Sequence, residues 1–194
     1  MGSRPSCLTL LRMSAYSVVL FLHIVAVGAA FFLSGALHVS EHLMKGATTM
    51  TEIRRLTRPG KFAPLFGPIV IAIFVLGMVL LHQDQGSAWD MGTPFVAVAT
   101  VVLVVLALDG PLVMGRFGKQ LDALVEQTPD GPVTDEVRTQ LRNPVPWAVG
   151  YGNTFMAISV ILLMTSKPSW AYCVVVVLVG TAIGASLGTV LSRR

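Results

Sequence analysis

Charge is what this chain has least of. Asp, Glu, Lys and Arg make up 12% of its 194 residues, against roughly a quarter in soluble domains, and the mean hydropathy is +0.72. That scarcity excludes an ordinary soluble domain. Cysteine is equally sparse: Cys7 and Cys173 are the only two, and their spacing fits neither a thiolate metal site nor a redox motif. A single Cys7 to Cys173 disulfide is conceivable, the alternative being one free thiol in the N-terminal tail and one small apolar residue in a helix. No inverted repeat is evident, which counts against the commonest transporter architectures.

What the chain does have is five long apolar stretches, at about residues 14–38, 62–82, 94–114, 146–165 and 170–191. Each is long enough to cross a hydrocarbon core of roughly 30 Å at about 1.5 Å per residue. The fold class predicted is all-α, a single polytopic transmembrane helix bundle over residues 1–194 with one polar segment at 116–143. Lys and Arg sort onto alternate sides of these spans. Lys45, Arg54, Arg55, Arg58, Lys61, Arg116, Lys119, Arg138, Arg142, Arg193 and Arg194 fall on one side, eleven of the fourteen basic residues. Excess Lys and Arg in short loops marks the cytoplasmic face, so the orientation expected is N-terminus out and C-terminus in. The same sorting accounts for the net charge of +4 without nucleic acid as a partner.

Local signals refine the spans. Met1-Gly2-Ser3-Arg4-Pro5-Ser6 matches the myristoylation pattern literally, but five spans already anchor the chain. Arg12 ahead of Tyr16 to Leu37 imitates a signal peptide. The apolar run exceeds the usual core of roughly 7 to 15 residues, and a retained first helix is expected. Pro59 and Pro64 discourage a continuous helix into the second span, and Gly67-Pro68 predicts an irregular first turn there. Gly110-Pro111 should kink or stop the third helix. Beyond it, Arg116 to Glu126 reads as a short amphipathic helix on the membrane face, Thr128-Pro129-Asp130-Gly131-Pro132 as a turn, and Thr134 as an N-cap. Trp89, Trp170 and Tyr172 mark the outer interface, and Trp147 and Tyr151 the inner one.

Several residues carry candidate chemistry. Gly180, Gly184 and Gly188 lie on one helix face, a stripe for close helix packing within the bundle or onto a partner subunit. On the first helix, His23, Val27, Ala30, Ser34, His38 and Glu41 fall within about 60° on a wheel of about 100° per residue. A histidine in lipid faces the bundle interior or a cavity, so His23 is either a functional group or a neutral imidazole bonded to Asn153 or Thr154. His38-Val39-Ser40-Glu41-His42 is literally H-x-x-E-H, a zinc-hydrolase pattern. With no third ligand in view, the plainer reading is a solvated helix end. For a b-type haem, His23 with Met78 is the best-matched intramolecular pair in depth. Asp109, the only acid within a span, either lines a proton or cation path or caps the next segment and pairs with Arg116. His82, Asp84 and Asp90 form a weak external cation candidate.

Leu22-His23-Ile24-Val25 in a first helix, a basic loop with Arg54-Arg55-Leu56, and a second helix with Leu76-Gly77 resemble a broad group of small bacterial membrane proteins. That group includes the copper resistance protein D domain and the bacterial membrane protoporphyrinogen oxidase. The resemblance spans roughly residues 16 to 80. It implies a haem-linked redox site at the position of His23, in a bacterial inner membrane. The tryptophan expected seven residues later is Ala30, and the lysine expected in the third span is missing. The expectation favoured is therefore an accessory or interaction subunit contacting lipid and other membrane subunits, without its own catalytic centre. A haem- or copper-associated redox protein using His23 and a small proton- or cation-linked transporter are the alternatives.

Overall fold

A computed structural model describes residues 14–83 and 90–194. The chain is all-helical: α1 (Ala15–Gly46), α2 (Met50–Leu56), α3 (Phe66–Gln83), α4 (Pro94–Asp109), α5 (Gly115–Gln127), α6 (Asp135–Leu141), α7 (Pro144–Ser166) and α8 (Trp170–Arg193). Five helical stretches are long and apolar enough to cross a membrane, the pattern of a multi-pass membrane protein. α1 packs chiefly on α3 and α7 on α8, while α4 joins the two pairs.

Helix boundaries follow from local chemistry, and several differ from expectation. α1 starts where the Ser14 hydroxyl accepts the Ser17 N–H at 3.1 Å. Instead of ending near His38, it runs two further turns to Gly46, because no Gly or Pro interrupts Val39 to Lys45 and Met44 finds a buried site beyond the span. The irregular approach to α3 is a 3-10 coil over Arg58–Leu65 containing Pro59 and Pro64. Gly67 and Pro68 themselves sit in a regular first turn, where an N–H has no intrahelical partner to lose.

Gly110-Pro111 does not stop the third span. The chain passes from α4 to α5 through a π turn over Gly110–Met114, with the Gly115 N–H reaching back to the Gly110 carbonyl. Pro111 offers no N–H and crowds the carbonyl four residues earlier. Widening the turn by one residue absorbs both defects.

The glycine stripe of α8 lies against α7. A Cβ at Gly180 would collide with Ser159 Oγ, at Gly184 with the Tyr151 carbonyl and Phe155 Cβ, and at Gly188 with the Trp147 carbonyl. Without a Cβ the two backbones approach closely, and dispersion contacts hold the pair. At the far end Phe95, Leu163 and Cys173 form a small apolar cluster. Cys173 is buried and free, and Cys7, Trp89 and Asp84 lie outside the described residues.

The largest departure lies in the polar segments. The loop after α1 and the 116–143 segment fold together into one module with its own core: Met44, Ala47, Met50, Ile53, Leu121, Val125, Val133, Val137 and Leu141. Met50, Ile53 and Val137 are fully buried. Backbone bonds join the segments, from Met50 N–H to Gly131 O at 2.9 Å and from Val133 N–H to Thr48 O at 3.1 Å. Arg54 clamps the turn by donating to Asp130 and to the Thr128 carbonyl. Thr49 and Glu52 form a capping box for α2, and Thr134 caps α6 as expected from its residue type. α5, predicted to lie on the membrane face, instead turns Leu121 and Val125 into this core. Its apolar stripe is met by Met50 and Ile53, so it has no need of lipid.

Candidate functional site

The polar residues of α1 and α7 meet in a seam at the module end of the bundle. Asn143 opens α7 by accepting the Val145 N–H at 3.0 Å, with Pro144 in the first turn. That start places Trp147, Gly150, Tyr151 and Thr154 on one face at helical spacing. Opposite them stand Ser34, His38, Glu41, His42 and Lys45 of α1.

Contacts across the seam are specific. His38 Nε2 lies 3.0 Å from Thr154 Oγ1, while its Nδ1 faces Glu41 Oε2 at 3.3 Å. Ser34 Oγ is 3.0 Å from the same Thr154 hydroxyl, which also donates to Gly150 O at 3.0 Å. The His38 ring stacks on Tyr151 with centroids 4.3 Å apart. Gly150 makes room for it: a Cβ there would sit 3.1 Å from His38 Cε1. One turn on, His42 Nε2 lies 2.6 Å from the Tyr151 hydroxyl, and its ring meets Trp147 edge-on at 4.8 Å. Lys45 Nζ stands 4.8 Å above the Trp147 ring and donates to the Leu191 carbonyl in the last turn of α8.

Thr154 has one hydroxyl proton and three polar neighbours, and this decides what the seam can do. When that proton goes to Gly150 O, the Thr154 oxygen can only accept, and His38 donates to it from Nε2. When Nε2 instead accepts from Thr154, the Gly150 carbonyl loses the hydroxyl. The donor and acceptor roles of His38 Nε2 thus correspond to two orientations of one hydroxyl.

The polar stripe predicted along α1 divides between two neighbours. Ser34, His38 and Glu41 face α7, whereas His23 meets α3, where Gly77 comes close enough that a Cβ would touch His23 Cε1 at 3.4 Å. Neither Asn153 nor Thr154 serves as its partner. Thr154 is taken by Ser34 and His38, and the buried Nδ1 of His23 has no hydrogen-bond partner among the described residues. Met78 lines a shallow groove on α3 with Phe74, Val75, Val79 and His82. It is Gly77, one residue earlier, that abuts His23.

His38 and His42 turn their Nε2 atoms to Thr154 and Tyr151, and among the described residues no three His, Cys, Asp or Glu side chains gather to hold a metal ion. Asp109 is half-buried and neither caps the following segment nor pairs with Arg116. The helix continues through the π turn, so no free helix N-terminus follows Asp109 for it to cap. Asp90 is used locally, accepting the Gly92 N–H at 2.9 Å. Trp147, expected as an interfacial anchor, is 3% exposed; its Nε1–H donates to Leu141 O at 2.9 Å and ties α7 to the module.

No known family, characterised protein or solved structure matches this chain. Its chemistry must be argued from the seam itself. Lys45, Trp147 and Tyr151 were absent from the sequence candidates for chemistry, and Thr154 entered only as a possible partner of His23. Their signal was the 147, 150, 151, 154 spacing on α7, which gains meaning only once α1 is known to lie opposite.

Proposed function

We propose that the protein is an accessory or interaction subunit of a membrane complex in a bacterial inner membrane, with its N-terminus outside and its module in the cytoplasm. The observation that carries this reading is the module. Its polar segments, separated in sequence by two spans, share one core and are tied to α7 through Trp147 and Leu141. Such a platform offers a partner a fixed surface at the ends of the spans, while exposed apolar faces such as that of Phe32, at 81%, suit lipid or neighbouring helices. The excess of Lys and Arg at this end supports the orientation.

Purification of the tagged chain from its native membranes in a mild detergent tests the reading. Stoichiometric recovery of one or more larger membrane proteins is the expected result. A chain that elutes alone, even after cross-linking in the intact membrane, would remove its basis. Orientation is tested separately by a reporter fused after Arg194, which should be cytoplasmic.

The polar seam favours a second reading, a proton-linked membrane protein. An imidazole joined to a carboxylate and to a hydroxyl that can reorient is a working element of a proton relay. Proton flux in liposomes, lost in His38→Ala, would support it. Asp109→Asn tests whether that acid belongs to the same path. The redox reading rests on the unpartnered His23 Nδ1, and needs a Soret band in the purified protein that disappears in His23→Ala.

A further inference from the structure

Three cations converge on a crevice where the module meets the spans. Lys45 from the end of α1, Arg138 from α6 and Arg142 just beyond it line this crevice, with the buried Met44, Val133 and Leu141 of the module core behind them. Neither guanidinium has a hydrogen-bond or ion-pair partner among the described residues; the only acid-base pairs are His38 with Glu41 and Arg54 with Asp130. Lys45 spends one of its three N–H donors on the Leu191 carbonyl, leaving two. One cation at the C-terminal end of a short helix is met by the helix dipole. Three around one crevice, with no carboxylate among them, repel one another unless an anion joins them.

The position selects the anion's chemistry. The crevice lies where the chain leaves the module, and the apolar stretch of α7 starts with the exposed Val145, three residues after Arg142. Lys45 stands over the indole of Trp147, itself at the start of that span. A group held here is at headgroup depth. Guanidinium presents a planar fork that matches phosphate oxygens in pairs, and an ammonium adds a point charge.

We infer that Lys45, Arg138 and Arg142 form a binding site for the phosphate group of an anionic phospholipid, with its acyl chains lying along the adjoining span. The site does not depend on the subunit reading above, nor on which face of the membrane the module occupies.

Delipidated protein in detergent, titrated with phosphatidylglycerol and followed by native mass spectrometry, tests this site. Phosphatidylcholine and inorganic phosphate serve as separate arms. Wild-type protein should retain phosphatidylglycerol in preference to phosphatidylcholine. The double variant Arg138→Gln/Arg142→Gln should bind it about twenty-five-fold more weakly, since each headgroup-to-cation contact is worth roughly fivefold. Arg116→Gln/Lys119→Gln, which removes equal charge from exposed positions on α5, should bind as wild type does. Arg138→Lys/Arg142→Lys should keep most of the binding, which separates a charge effect from misfolding.

Equal loss in both Gln pairs would reduce the site to general attraction, and equal retention of the two lipids by wild-type protein would sink the proposal outright. Binding of inorganic phosphate as tight as that of the lipid would overturn the assignment to a headgroup. Wild-type binding that is insensitive to added salt would also overturn it, because a site of this kind is partly screened.

Discussion

Thr154 is the residue on which the seam turns, because its hydroxyl is shared by Ser34, His38 and Gly150. Thr154→Val keeps the shape and removes the hydroxyl, leaving two partly buried polar side chains without that partner. The expected loss is about 1–2 kcal/mol, read as a lowered thermal unfolding midpoint in detergent, with Thr154→Ser close to wild type. An equal loss in both variants would show that the hydroxyl is immaterial. Glu52 allows a second residue-level prediction. It accepts the backbone N–H groups of Thr48 and Thr49, which hold its carboxyl below the usual glutamate range. A carboxyl lowered on folding contributes stability above its unfolded value, about 4.3, and that contribution is lost as pH falls through the folded value. A carboxylate NMR titration should therefore show a Glu52 midpoint below that of a glutamate peptide, and Thr49→Ala, which keeps the backbone N–H and removes only the hydroxyl's smaller contribution, should move it slightly upward. His38, Glu41 and His42 were legible as a cluster in the sequence because they share one helix. Their partners on α7 were not, because contact between residues more than a hundred positions apart depends on how two helices are set against each other.

Among elements, α7 and α8 form the tightest pair. Gly184→Val places methyl groups against the Tyr151 carbonyl and Phe155, and backbone cannot yield as a flexible side chain does. The expected destabilisation is at the upper end of about 1–3 kcal/mol, measured by unfolding in mixed micelles. Gly118, where a Cβ would meet nothing, should accept Ala with little change. The stripe was readable from spacing alone, whereas its placement on α7 required the fold. The π turn is the reverse case. Pro111 was visible and its disruptive chemistry was known, yet the sequence does not reveal that a helix will absorb it by widening. α5 was recognised as amphipathic, but its apolar side was assigned to lipid because Met50 and Ile53 were read as part of a polar loop. Ile53→Ala, at a position with no exposure, should cost about 2–5 kcal/mol and open the module to protease before the spans unfold.

At the scale of the whole molecule, the number and rough extent of the spans came from apolar length, which is the strongest signal lipid imposes on a sequence. The module was hidden because its core draws on two short segments, neither of which has enough apolar residues to announce a fold. Its presence yields a prediction independent of charge sorting. In a background lacking Cys7 and Cys173, cysteines placed at Thr57 and Thr128 should react with a membrane-impermeant reagent from the same side of sealed vesicles, and one at Lys167 from the opposite side. Reaction of 57 and 128 from different sides would contradict the shared core.

The bonds between Thr48 to Met50 and Gly131 to Val133 also set an order of events during synthesis. The first half of the clasp leaves the ribosome before α3 and α4, and the second half after them. The module therefore cannot close until both helices have been inserted, as a hairpin that returns the chain to its starting side. A growing chain that threads only one of them leaves the two halves on opposite sides of the bilayer, each with unburied apolar residues. Closure of the clasp thus requires both halves to lie on the same side of the bilayer.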